Sequence, residues 1–265
     1  IGIASLLAWG FGYFGQPHIL VRFMAIDKVG DLTKARRIGI TWMIFTVGGA
    51  LLVGLVGIAY LLQFDAMTML KFDASKTESE TIFIYFSRVL FHPLIGGFLL
   101  SAILAAVMST ISSQLLVTSS SLTEDIYKAF IHKKATSKQL LIASRLSVLL
   151  VAVISLVLSI SPKDSILNLV GNAWAGFGAA FGPIILLSLL WRKTTWQGAF
   201  VGMIVGASVV LIWVYTDHSY KDWYEILPGF ICSFLSIVVV SFLTQQRNDE
   251  IDKEFDQVNN IIKNR

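Results

Sequence analysis

The chain has 265 residues, 55% of them hydrophobic and only 14% charged, with a mean hydropathy of +0.72. Soluble domains carry about a quarter charged side chains, so this composition excludes a soluble globular domain and marks a membrane protein. The formal charge of +4 is what cytoplasmic loops of a multi-pass protein supply and points to no nucleic acid, and the lone Cys232 excludes a disulfide framework.

Seven apolar segments, at about 2–23, 38–62, 92–120, 142–160, 165–190, 197–216 and 228–244, are each long enough to cross a bilayer as a helix. The chain starts at Ile1, inside an apolar run and without an initiator Met, so an upstream portion is expected. The first segment contains Trp9-Gly10-Phe11-Gly12-Tyr13-Phe14-Gly15-Gln16-Pro17-His18. Three glycines and a proline are hostile to a straight helix, because glycine frees the backbone and proline lacks an amide proton. Unwound backbone at membrane depth is tolerated where it lines a cavity, and secondary transporters build substrate sites from such breaks. Trp9, Tyr13 and Pro17 recur every four residues, which predicts a slowly drifting stripe on any helical portion. That stripe suits either an aromatic ligand enclosure or a kinked packing helix with interfacial aromatics.

Between the second and third segments, Thr81–Phe91 mixes aromatics with Arg88 and predicts a short helix, either a lid or one lying passively at the interface. The third segment carries Ala105-Ala106-Val107-Met108-Ser109-Thr110-Ile111-Ser112-Ser113. Lipid offers these hydroxyls no partner. They either bond their own backbone, join helices, or, with nearby carbonyls, replace the water shell of a small hard cation. The loop at 123–141 predicts a solvated helix. Gly171-Asn172-Ala173-Trp174-Ala175-Gly176-Phe177-Gly178, followed by Gly182-Pro183, is a second interrupted stretch, read as a hinge or as close packing by small residues. Gly198, Gly202 and Gly206 form a small-residue ridge for helix packing. In the tail from Gln245 to Arg265, Ile251, Phe255, Val258 and Ile262 predict a short cytoplasmic helix.

With the first segment starting outside, sixteen of the 21 basic side chains fall on the inner side and five on the outer. The positive-inside bias therefore puts the C-terminus in the cytoplasm. No Asp, Glu or Lys lies within the seven segments, which favours a sodium-coupled carrier over a proton-coupled one.

Three stretches carry a resemblance: Trp9 through Ile19, Lys34-Ala35-Arg36-Arg37-Ile38-Gly39, and Leu104 through Ser113 to Thr123-Glu124-Asp125-Ile126-Tyr127. They resemble the solute:sodium symporter family, in its bacterial proline-carrying branch. The resemblance implies an all-α polytopic membrane protein: the second half of a five-plus-five inverted-repeat transporter fold plus two peripheral helices. Residues 1–190 would form the second repeat, 191–244 two additional transmembrane helices, and 245–265 the cytoplasmic tail. It further implies a sodium site at Ala106, Ser109 and Thr110, and a substrate site in which Trp9 and Tyr13 enclose a pyrrolidine ring and Pro17 shapes the break. The implied activity is sodium-coupled uptake of L-proline across the plasma membrane by alternating access, with Na⁺ and proline as cargo, the lipid bilayer as surroundings and no obligate protein partner. The alternatives are a symporter of another small solute, or a sensor or adaptor on the same scaffold; no enzyme chemistry is expected. Half of each site would lie on helices outside the chain, which by itself is not expected to transport.

Overall fold

The computed structural model describes residues 2–74, 76–160, 165–216, 223–244 and 249–263. Lys163, Lys221, Arg247 and Arg265, which enter the charge bias, lie outside the described residues, as do the first four and last two residues of the expected tail. The regular elements among the described residues are all helical. In chain order they form α1 (Gly2–Gly12), a 3-10 turn (Tyr13–Gly15), α2 (Pro17–Met24), α3 (Asp31–Phe64), α4 (Ala66–Ala74), α5 (Lys76–Ser79) and α6 (Ile82–Val89). There follow α7 (Pro93–Ser120), continued by a π-helical stretch (Ser121–Ile131), then α8 (Ser137–Ser159), α9 (Ile166–Leu190), α10 (Trp196–Tyr215), α11 (Ile226–Thr244) and α12 (Asp249–Lys263). Six of these helices are long and apolar enough to span a bilayer: α3, α7 with its π continuation, α8, α9, α10 and α11.

The remaining expected span, 2–23, is discontinuous. The chain leaves α1 through the 3-10 turn, becomes extended at Gln16 (φ −86°, ψ 111°), and re-enters a helix at Pro17. The geometry follows from Pro17. Its ring pushes the preceding residue out of the helical region, and its missing N–H is no loss at the first position of a new helix. The Gln16 carbonyl then accepts from the amides of Ile19 and Leu20, both at 3.0 Å.

Contacts divide the chain into two compact units, Ile1–Met24 with Leu167–Arg265, and Ala25–Ile166. The first is packed through small residues. Ala8, Ala175, Ala179, Val210 and Ile226 form its buried core. A Cβ added at Gly178 would lie 2.7 Å from the Gly12 Cα, and one at Gly182 would lie 2.8 Å from the Phe230 ring. No glycine among the described residues has a positive φ. The expectation that glycine loosens the first segment is therefore corrected: Gly12 and Gly15 are needed for their size, because their missing Cβ atoms would collide with Trp174 and with the Phe177 backbone. Likewise the second interrupted stretch is a continuous helix whose Gly171, Ala175, Gly178, Ala179 and Gly182 are buried against neighbours. Close packing, not a hinge, is what they provide. Pro183 inside α9 has no N–H for the Ala179 carbonyl four residues earlier, and Gly206 lets α10 press against that same carbonyl. Gly198 and Gly202 seat α10 on Ile237 and Ser241 of α11, as the ridge predicts. Thr195 caps α10, its Oγ1 accepting from Gly198 N, while its own N–H donates to Ser241 Oγ at 3.1 Å. The tail helix α12 is held by Arg192, which donates to Asp252 Oδ1 at 2.7 Å.

The second unit is far less self-buried. Only Gly57 and Leu61 are buried among the 34 residues of α3, and α8 buries none. Apolar helices exposed on this scale are stable only in hydrocarbon or against further protein. The chain is an all-α, multi-pass membrane protein. Ser119 joins α7 to α8, fully buried, with its Oγ 3.1 Å from the Ser144 carbonyl and 2.9 Å from Ser144 Oγ. Thr136 and Gln139 form a capping box at the start of α8. The helix expected at Thr81–Phe91 is α6. It is docked rather than passive: Phe86 and Ser87 are buried, and Ser87 O closes on Gly96 of α7.

Asp65 ties the short helices α4 and α6 together. It caps α4 by accepting from Thr68 N (3.1 Å) and Thr68 Oγ1 (2.7 Å), and it accepts from Tyr85 Oη of α6 at 2.8 Å. These hydrogen bonds, Thr68's first, hold the Asp65 carboxyl below its ordinary value, and the same bond raises the Tyr85 phenol to about 12.

Two predictions follow from this packing. Gly206→Ala is expected to destabilise the protein by about 1–3 kcal/mol, because the new methyl meets a rigid carbonyl, whereas Gly39→Ala, with nothing near its Cβ, is expected to be neutral. Thermal unfolding in detergent compares the two. The Asp65 contribution is fully present above the ordinary carboxylate pKa and is lost as pH falls through the lower folded value. Hydrogen exchange of α4 and α6 amides, corrected for its intrinsic pH dependence, is therefore expected to accelerate below that value in the wild type and to show no such step in Asp65→Ala.

Candidate functional site

The break between α1 and α2 is fastened to one residue of α9. Trp174 Nε1 donates to the Trp9 carbonyl at 2.9 Å, on the α1 side of the break. On the other side, Gln16 Nε2 donates to the Trp174 carbonyl at 3.2 Å. Gln16 is 4% exposed. A buried amide in an apolar run needs a partner, and this one also satisfies a second lone pair of a helix carbonyl.

Around this fastening the aromatic side chains gather. Trp9 stacks on Trp174 (centroids 5.4 Å, 13° between planes) and on Tyr224 (5.8 Å, 15°). Tyr13 meets Trp174 edge-on at 4.8 Å. Tyr224 Oη donates to the Gly171 carbonyl at 2.8 Å, and its backbone N–H donates to Ser5 Oγ at 3.2 Å. Trp9 and Tyr13 therefore share one aromatic group, Trp9 half-buried and Tyr13 exposed. Pro17 does not lie on their helix. It opens α2 beyond the extended Gln16, so the four-residue stripe is interrupted between Tyr13 and Pro17. Sequence reasoning missed Gln16, Trp174 and Tyr224 as members of this group. The signal for Gln16 was a lone polar side chain between Gly15 and Pro17; the partners on α9 and at the start of α11 lie more than 150 residues away.

Ala106, Ser109 and Thr110 lie on α7, in the other unit, and all three are exposed. Thr110 Oγ1 donates to the Ala106 carbonyl at 3.2 Å, and Ser113 Oγ donates to the Ser109 carbonyl at 2.8 Å. The hydroxyls thus bond their own backbone, while the helix-joining role falls to Ser119. Back-bonding does not exhaust Thr110: its proton is committed, and its oxygen lone pairs remain for a cation. Oxygens of Ala106 and Thr110 are brought together directly, and Ser109 adds a neighbouring hydroxyl on the same helix.

The sequence profile of the Sodium:solute symporter family matches residues 1–206. The chain is 56% identical over 247 residues to the osmoregulated proline transporter OpuE of Bacillus subtilis, covering 93% of this chain and 49% of that protein. It is 54% identical over 256 residues to the high-affinity proline transporter PutP of the same organism, covering 96% and 52%. It is 50% identical over 272 residues to sodium/proline symporter 2 of Staphylococcus saprophyticus, covering 99% and 52%. The chain spans about half the length of the curated relatives it matches.

Gln16→Leu is expected to leave the Trp174 carbonyl short of one partner and to loosen the break, at a cost of about 1–3 kcal/mol. Hydrogen exchange measured by mass spectrometry should rise over 13–20 and stay unchanged in α10.

With a helix broken in the manner of secondary transporters, a cluster of neutral oxygens on a second helix, and a profile match over most of its length, the chain belongs to the sodium:solute symporter family.

Proposed function

We propose that this chain is the second half of a sodium-coupled L-proline carrier of the plasma membrane. Residues 1–190 form the second inverted repeat, with α1–α2 as its discontinuous first span; 191–244 add two peripheral helices; and the tail from 245 lies in the cytoplasm, on the side favoured by sixteen of 21 basic residues. The observation that carries the reading is 50–56% identity, across 93–99% of the chain, to proteins named as proline transporters and sodium/proline symporters.

The chain's residues suggest how it works. The Ala106 carbonyl with the Ser109 and Thr110 hydroxyls contributes uncharged oxygens to a Na⁺ that is cargo, so the ion is held without a full countercharge and can leave. Trp9 and Tyr13 offer ring faces and edges to the pyrrolidine ring and its ammonium. Pro17 and Gln16 set the break that frees backbone groups beside them. Sodium and proline each favour the conformation that holds the other, so each tightens the other's binding by the same factor. The sodium gradient then makes inward release the favoured direction.

The test is uptake by a complete carrier containing this chain, reconstituted in proteoliposomes. Labelled proline is expected to accumulate under an inward sodium gradient and not without one. Ser109→Ala combined with Thr110→Ala is expected to remove at least nine-tenths of the sodium stimulation while membrane insertion is unchanged. Normal sodium dependence in that double variant would refute the ion assignment.

A further inference from the structure

The first unit contains a pocket of about 740 Å³ on the outer flank of Trp9, between the start of α1, the start of α9 and the residues that lead into α11. Its lining includes Ser5, Trp9, Asn172, Tyr224 and Glu225. None of the residues implied for the substrate site other than Trp9 reaches it. Glu225 is the unusual member. Its Oε1 is shielded from solvent and has no hydrogen-bond partner among the described residues. A carboxylate oxygen in that position is costly unless something cationic or donating occupies the space beside it.

The other walls say what that something is. Trp9 presents an indole ring, already held by its stack with Trp174 and Tyr224. Leu6 and Leu167 add apolar surface. With Glu225 as the one charged donor among its described lining residues, beside neutral Ser5, Asn168 and Asn172 and the aromatic and apolar walls, the pocket is a poor cage for a divalent metal ion, which favours several carboxylates. It fits an organic ammonium, whose N–H groups bond the carboxylate while its carbon body lies on the ring. Ser5 Oγ accepts from the Tyr224 amide and keeps its own proton to donate. With the Asn172 amide it can meet the carboxylate of a zwitterion.

We infer that this pocket is an outer docking site for a compact organic ammonium ion, with Glu225 as the acceptor of its N–H groups and Trp9 as the surface under its carbon body. Resting on the proposed function, the physiological occupant is the transported amino acid itself, captured on the outer side of Trp9 before it passes inward. Burial raises the Glu225 carboxyl above its ordinary value. A cationic occupant would offset that, favouring the ionised form only when the pocket is filled.

The test separates the pocket from the transport reading. A complete carrier in nanodiscs is titrated with pyrrolidinium chloride at constant chloride, and binding is followed by saturation-transfer NMR. Glu225→Gln is expected to weaken pyrrolidinium at least tenfold, Glu225→Asp by less than threefold, and neither to change the weak binding of cyclopentanol, a neutral analogue. Equal pyrrolidinium binding in wild type and Glu225→Gln, or parallel loss of cyclopentanol, would overturn the site. In proteoliposomes, Glu225→Gln is expected to raise the external KM for proline at least fivefold with the maximal rate within twofold. An unchanged KM would overturn the assignment of the pocket to the transported solute. A wild type that binds pyrrolidinium but accumulates no proline would sink the transport reading and leave the ammonium site standing.

Discussion

A polar backbone group freed at membrane depth has to find its partner inside the protein, because hydrocarbon offers none. In this chain that requirement falls on Trp174. It lies eight residues into α9, about 12 Å along the helix axis. Its indole N–H takes the Trp9 carbonyl where α1 gives way to the 3-10 turn, and its own carbonyl takes the Gln16 amide where the chain is extended. One residue, through its indole N–H and its backbone carbonyl, thus holds both lips of the break. The glycines follow from the same contact: α1 and α9 must lie close enough for an indole to reach a backbone carbonyl, and Gly12, Gly15 and Gly178 remove the atoms that would prevent it.

This explains which parts of the fold were legible in the sequence. Spans of apolar residues report their own solvent, so six helices were readable by hydropathy and length alone. The break was readable too, because Pro17 acts on its immediate neighbours. Its cause was only half readable. Glycine has two uses, conformational freedom and small size, and the local sequence does not distinguish them; with no positive φ among the described glycines, size is the one used here. The ring group was the least legible part. Trp9 and Tyr13 stood out as aromatics in an unusual segment, but their neighbours Trp174 and Tyr224 come from helices distant in sequence, and no periodicity encodes that pairing. Glu225 escaped for a different reason: a lone carboxylate next to an apolar helix reads as an ordinary interfacial residue until its surroundings are known.

The hydroxyl cluster on α7 illustrates how one side chain can satisfy two readings that looked exclusive. Thr110 bonds the Ala106 carbonyl, which is the local explanation for a hydroxyl in a membrane helix. That bond fixes the hydroxyl rotamer and leaves its lone pairs pointing away from the carbonyl. The helix-joining hydroxyl of α7 is Ser119, about three turns further along, which bonds Ser144 of α8. Among the described residues, no hydrogen bond joins the Ser109–Thr110 face of α7 to another helix. Three oxygens on one helix cannot surround an ion, so any cation held there must also draw ligands from a different segment.

Within the first unit the connections differ in kind. α10 and α11 meet along a glycine ridge backed by Ile237, Ser233 and Ser241, all fully buried. Such an interface has no intermediate position: a shift of a few tenths of an ångström drives backbone into side chain. The α1–α2 strand-like break has a different character. It is held by two hydrogen bonds to Trp174, by stacked rings and, at Gly12 and Gly15, by glycine contacts with α9 as close as those between α10 and α11. Trp9 belongs to both the fastening and the wall of the pocket that Glu225 lines, so a ligand that alters its stack acts directly on the break.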